Sequence, residues 1–317
     1  MLQTIDLSSK HGAGVFAKET LVKGQPAHIE CIEIQGQIYS IDRGVVNVVS
    51  LEDEWYEDVR DPIRVVEVLK SRPEVGADLF TFWQRLPDIQ PKYELDFQWE
   101  SIAALPISSV DHWFNKQISG RTRGLIRKAK KEGVEVRETA YDDEFVRGMT
   151  EIFNETPIRQ GRRFWHYGKD FDTIKRQFSR YLFREELAGA YLGNELIGFI
   201  MLGNAGGYAV TGQIISKLRH RDKSTNNVLI AKAVEMCAQK KVPYLVYLHW
   251  TNDSLAEFKR RCGFEETKVP RYSVPLTQRG RLALKFGIHR GLSAALPDPL
   301  IKPLKRLRRL WNDWRSN

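Results

Sequence analysis

Cysteine is scarce in this 317-residue chain, with only Cys31, Cys237 and Cys262, far apart from one another. An odd, widely spaced set builds neither a disulfide framework nor a zinc site with paired close ligands, so the thiols read as small apolar residues and no metal is expected. Long apolar runs are missing as well. None approaches the roughly 18 to 20 residues needed to span a bilayer, and Met1 to Phe16 has no signal-peptide core, so a soluble cytoplasmic protein is expected. No aromatic RNP box or Cys/His finger is evident, which removes two common RNA-binding modules. The 42% of hydrophobic residues is enough for buried cores and two domains of ordinary size, and a disordered chain is excluded.

The formal charge is +9, and its distribution says more than its total. Residues 1–115 carry −9, 116–137 carry +6, 138–278 carry +4 and 279–317 carry +8. The excess therefore lies in two basic segments. The first, SGRTRGLIRKAKKEGVEVR from Ser119 to Arg137, opens on a plausible N-cap serine and passes Gly133 as a C-terminal cap, which predicts a basic helix connecting two halves. The second, Pro299 to Arg315, spaces Leu300, Leu304, Leu307, Trp311 and Trp314 at helical intervals with Lys305, Arg306, Arg308 and Arg309 between them. Such an amphipathic basic helix suits the anionic inner face of a membrane, or docks its apolar stripe on its own domain.

Strand-like runs (HIECIEI, QIYSI, VVNVV) occupy residues 26–50, and Pro62 to Leu69 reads as a helix. After the connector, Val134 and Val136 alternate with charges as a strand would. Tyr141 to Phe153 and Phe171 to Phe183 read as helices. Leu187 to Leu192 and Leu196 to Leu202 form a hairpin at Gly193-Asn194, followed by a strand over Tyr208 to Ile215. A helix through Val228, Ala231, Val234 and Ala238, a strand over Tyr244 to Trp250, a helix from Ser254 to Cys262 ending at Gly263, and a strand over Arg271 to Leu276 complete an α/β (α+β mixed-sheet) domain.

This order, with the loop-helix Arg221 to Ile230 and the segment Asn252 to Phe264, resembles the GNAT (acyl-CoA N-acyltransferase) superfamily. RTRGLIRKAKKEGVEVR at Arg121 to Arg137, EFKRRCGF at Glu257 to Phe264 and RYSVPL at Arg271 to Leu276 resemble its FemABX-like branch more closely. The resemblance covers about residues 110–276. It implies a GNAT-like fold in tandem halves: a degenerate half over 1–115, the connector 116–137, the acyltransferase domain 138–278 and the tail 279–317. It also implies transfer of an acyl or aminoacyl group, from acyl-CoA or aminoacyl-tRNA, to an amine on a cell-envelope or polysaccharide precursor. A non-catalytic acyltransferase-like scaffold at the membrane and an RNA-binding protein are the alternatives.

Acyl transfer to an amine needs a base, an oxyanion site and charge neutralisation at the leaving group. The resemblance implies two splayed strands, here ending near Ser216 and Trp250, and a phosphate loop whose pattern Arg/Gln-x-x-Gly-x-Gly/Ala falls on Arg221 to Asn226. Ser224 and Asn226 replace the small residues, and both can cap a helix. Arg219, Arg221 and Lys223 supply positive charge to a phosphate, or make this a solvated basic loop. Lys259, in the family's Phe-Lys pair Phe258-Lys259, reads as an oxyanion or phosphate donor, or as an exposed lysine in a basic run. His249, at a strand end, reads as a base or as a structural histidine, and alternation puts it on the face of Leu245 and Tyr247. Arg159, Arg162, Arg163, Trp165, His166 and Tyr167 crowd the loop Glu155 to Asp170 and suit an anionic or glycan-bearing acceptor, or plug a cleft between helices.

Overall fold

The computed structural model describes residues 14–22, 25–159, 161–180, 182, 185–250 and 254–287. The basic tail expected over 299–317 lies outside the described residues. Among those described, no helix is long and apolar enough to cross a membrane.

The chain begins with β1 (Phe16–Val22), β2 (Gln25–Ile34), β3 (Gln37–Asp42) and β4 (Val48–Leu51), then α1 (Pro62–Ser71), β5 (Leu79–Trp83) and β6 (Phe97–Pro106). A short α2 (Val110–His112) runs on through a π-helical turn at Trp113–Gln117 into α3 (Gly120–Lys131). Next come β7 (Val134–Thr139), α4 (Asp143–Asn154), the two-residue strands β8 (Ile158–Arg159) and β9 (Arg162–Arg163), and α5 (Phe171–Phe178). The rest is β10 (Glu185–Leu192), β11 (Glu195–Asn204), β12 (Ala209–Ser216), α6 (Thr225–Gln239), β13 (Tyr244–His249), α7 (Ser254–Arg261), β14 (Glu265–Pro275) and α8 (Gln278–Lys285).

All strands except β8 and β9 form one twelve-stranded sheet in the order β1-β2-β3-β4-β5-β14-β6-β13-β12-β11-β10-β7. Strands from both sides of residue 115 therefore share one sheet. β6, from the acidic first part, lies between β14 and β13 of the later part.

Local chemistry sets most boundaries. Ser119 accepts from the Thr122 N–H to start α3, Asp142 and Asp170 do the same for α4 and α5, and Gly133 (φ 82°) and Gly263 (φ 90°) follow α3 and α7 in the left-handed conformation. Leu192 pairs with Glu195 across Gly193-Asn194, as the hairpin expectation required. β5 and β6 had no sequence expectation. Phe80, Phe82 and the run Ile102 to Leu105 are buried, and a strand covered on both faces shows no alternation to read. β14 starts at Glu265, six residues before the predicted Arg271. Pro270, which argues against a strand interior, sits within it opposite Trp99. The predicted helix over 171–183 ends at Phe178.

One core lies under α3 and α6 and another under α4 and α5, on the opposite face of the sheet, with Phe199, Met201 and Ile215. α1 closes a third over β2 to β5. The segment after β4 joins the parts: Glu52 pairs with Arg180 at 2.9 Å, Glu54 with Arg271 at 3.2 Å, and Tyr56 donates to Glu185 at 3.2 Å. Tyr56 lies so close to β11 that a Cβ on Gly203 would fall 2.2 Å from its ring. The three thiols are buried, and burial raises Cys31 to about 11 and Cys237 and Cys262 to about 12, so they pack as small apolar groups.

Candidate active site

β12 and β13 are parallel and pair only at Ala209–Leu245 and Val210–Val246. Beyond those pairs β12 continues to Ser216 and β13 to His249, so the two arms open toward their C-terminal ends. A 3₁₀ turn, Leu218–Lys223, then delivers the chain to Ser224 and the start of α6. Ser224 stands where the family pattern has glycine and takes the left-handed conformation glycine would take, φ 56°. Its side chain makes no cap hydrogen bond, which corrects the expectation that it caps α6: a left-handed N-cap does not aim its hydroxyl as an extended one does. Asn226 Oδ1 is buried without a hydrogen-bond partner among the described residues.

The charges around this turn are largely paired. Arg219 binds Glu195, Lys223 lies 3.4 Å from Glu132 and 3.2 Å from Asp222, and Arg221 is exposed. The Leu218 and Arg219 N–H groups donate to Glu155 at 2.6 and 2.9 Å. Lys128 of α3 reaches the Asp222 carbonyl, so the exposed Arg121, Arg127, Lys128 and Lys131 share a helix that borders the turn.

Glu195 is also bound by the buried Lys217 and by His220 at 3.2 Å. Burial works against its ionised form, but hydrogen bonds from Lys217 and Arg219 outweigh it and hold the carboxyl at about 2. A carboxyl depressed in the folded state stabilises fully above its ordinary value and progressively less as pH falls. Urea unfolding at pH 5.5 and pH 3 is thus expected to show stability falling over that window in the wild type and falling less in Glu195→Gln.

The loop from Glu155 to Asp170 divides. Arg159 is held by Ser216 O at 2.9 Å, Ile152 O at 3.0 Å and Glu155 at 3.1 Å, tying the β8–β9 hairpin to the end of β12. His166 is buried, stacks 4.3 Å from Phe153 and is pushed down to about 3 by burial, so it packs as a neutral ring. Arg162, Arg163, Trp165 and Tyr167 are exposed, with Lys169 over the Trp165 ring at 3.9 Å.

At the end of β13 the structure brings His249 and Lys259 together. Lys259 is buried, which removes its reading as an exposed lysine in a basic run: Nζ donates to the His249 carbonyl at 2.7 Å and lies 4.5 Å from the Tyr247 ring centre. The expected face of His249 is also corrected. The register with β6 shifts between Val246 and His249, and this bulge turns the imidazole away from the face of Leu245 and Tyr247, setting it edge-on to Trp55 at 5.8 Å and Trp83 at 5.9 Å.

There it meets groups that sequence reasoning missed. His249 Nδ1 is 3.5 Å from Glu100 Oε1, Arg271 Nη1 is 3.7 Å from Glu100 Oε2, and Arg271 Nη2 reaches both oxygens of Glu54 at 3.3 and 3.2 Å. Burial raises the Glu54 carboxyl above its ordinary range although Arg271 opposes it. Glu100 Oε2 is shut off from solvent, and no hydrogen bond reaches it among the described residues. A cleft of about 670 Å³ opens here, lined by Glu100, His249, Trp250, Arg271 and residues of β4, β5, β6 and β14. In the sequence, the acidic and aromatic run Asp53-Glu54-Trp55-Tyr56 is the signal for this cluster, and Arg271 stands out only as the first residue of the strand-like, FemABX-like segment RYSVPL.

Compared by sequence, the chain matches no protein-family model and no curated protein. Compared by structure, it is similar to FemX, with a TM-score of 0.53 and 12% identity, covering 86% of this chain and 90% of that one. It is similar also to the C-terminal domain of a putative lysylphosphatidylglycerol synthetase from Agrobacterium fabrum (TM-score 0.54, 12% identity, 81% and 87% covered). A third similar structure is L-PGS from Bacillus licheniformis (TM-score 0.50, 14% identity, 77% and 82% covered). With its mixed sheet, its splayed β12–β13 pair and the left-handed turn into α6, the chain has a GNAT-like, FemABX-related fold.

Proposed function

We propose that the protein is an N-acyltransferase that moves an acyl or aminoacyl group, from acyl-CoA or aminoacyl-tRNA, to an amine on a cell-envelope or polysaccharide precursor. The observation that carries this reading is the cluster Glu54, Arg271, Glu100 and His249 in a cleft at the open end of β13, one arm of the splayed pair. The names of the similar structures, FemX and lysylphosphatidylglycerol synthetase, favour aminoacyl transfer in general terms.

An amine is protonated at neutral pH and attacks only after losing its proton. Glu100, whose Oε2 is buried facing Arg271, accepts an ammonium N–H through Oε1, and His249 beside that oxygen takes the proton. Arg271 neutralises the two carboxylates, which keeps the pair Glu54 and Glu100 tolerable at short range. Backbone N–H groups between the splayed arms face the acyl carbonyl, and the donor's phosphates belong at Ser224 to Asn226, with Arg219, Arg221 and Lys223 and the basic α3 beside them.

Radiolabelled acyl-CoA and charged tRNA, each offered with a panel of amines, test the reading. Transfer from one donor is expected, with His249→Ala and Glu100→Gln lowering kcat by about 10²- to 10³-fold. No transfer from either donor, or wild-type rates in both variants, would sink it.

A further inference from the structure

The cleft beside His249 has a floor that the acyl-transfer chemistry does not explain. Ser50 pairs with Thr81, and Thr81 with Ser273, so three hydroxyl residues stand in register across β4, β5 and β14. Ser40 extends the row on β3, its Oγ 3.5 Å from that of Ser50. From Ser50 on β4 to His249 on β13 is four strand spacings, roughly 19 Å at about 4.8 Å each. Farther along the sheet, α4 and α5 cover apolar Phe199 and Met201, whereas this stretch is hydroxylic and open.

Resting on the proposed acyl transfer, we infer that this row binds a saccharide, and that the acceptor amine is carried on the sugar itself rather than on a peptide. The floor is the face of interior strands, each paired on both sides, so its backbone N–H and C=O groups are committed to the sheet. A peptide bound by strand addition needs an exposed sheet edge, and among the described residues there is none in the cleft. Recognition falls to side chains: Ser50, Ser273 and the Gln98 amide can donate and accept, and Thr81, whose hydroxyl donates to the Tyr272 carbonyl at 2.9 Å, still accepts, which matches ring hydroxyls. The Trp99 ring lies on the other face of β6 against Phe97, and Trp250 packs toward the core under α6, so the floor is bounded by polar side chains. A sugar lying along the row presents its amino group to Glu100 and His249.

Titration calorimetry of the full chain with a β-1,4-linked glucosamine trimer and with a trilysine peptide tests this without any donor. The trimer is expected to bind, and to bind about tenfold more weakly to the triple variant Ser50→Ala, Thr81→Val, Ser273→Ala, the loss of one or two hydrogen bonds. Gln98→Ala, at an exposed position in the cleft, provides a second variant with the same expected direction should the triple variant not fold. Unchanged trimer affinity in the folded variants, or peptide binding that equals trimer binding, overturns the inference. Trimer binding that follows the row while no donor transfers to any amine would leave the saccharide site standing and remove the acyltransferase reading instead.

Discussion

Replacing Lys217 with Ala is expected to cost about 2 to 4 kcal/mol of folding free energy, mainly by emptying the space of a buried side chain, because the carboxylates it bridges are themselves partly exposed. Lys217 is 2% exposed, and its Nζ bridges Glu151 of α4 at 2.7 Å and Glu195 of β11 at 2.8 Å. Removing the ammonium sets the two carboxylates against each other and takes from Glu195 one of the hydrogen bonds that hold it ionised. Lys217→Met keeps the length of the side chain without the charge, and combined with Glu151→Gln and Glu195→Gln it is expected to recover much of the loss. Urea unfolding of the set measures this. A loss below about 1 kcal/mol for Lys217→Ala would place the bridge among ordinary surface ion pairs. Because Lys217 follows Ser216 directly, the same change loosens the end of β12, and donor affinity is expected to weaken with stability.

Lys259→Ala is expected to lower stability by about 2 to 4 kcal/mol, since it empties the space of a buried side chain and strips the His249 carbonyl of a donor. Lys259 is 1% exposed, and its bond to that carbonyl fixes the strand end at which the bulge turns the imidazole toward Trp55, Trp83 and Glu100. The indole ring currents on His249 provide a direct readout: they are expected to vanish from its proton shifts in Lys259→Ala and to return in part in Lys259→Arg. Shifts like those of the wild type in a folded Lys259→Ala would show that the lysine does not set the ring. Transfer activity is expected to follow the shifts rather than the stability.

Much of the framework was legible locally. The α3 start at Ser119, the Gly193-Asn194 hairpin and the end of α7 at Gly263 follow from residues a few positions apart, whereas the splayed arms, expected to end near Ser216 and Trp250, came from the family resemblance. The turn from Arg221 to Asn226 was half legible: the family resemblance marked the place, but the left-handed Ser224, the Glu195 clamp on Arg219 and the Glu155 contact with two N–H groups depend on α4 and β11 folding back on it. His249 and Lys259 were visible as residues, but not the face of the one or the burial of the other. A one-residue bulge reverses the face of everything beyond it, and burial of a lysine depends on what packs around it.

By itself, the sequence determined the order and caps of the elements and the concentration of positive charge near α3, because those rest on side-chain period and neighbours within one turn or hairpin. Only the tertiary structure decided that Glu54, Glu100 and Arg271 meet His249, and that Ser50, Thr81 and Ser273 form one row. Lateral register across a sheet joins residues such as Thr81 and Tyr272, 191 positions apart, and no local pattern encodes which strand will lie beside which.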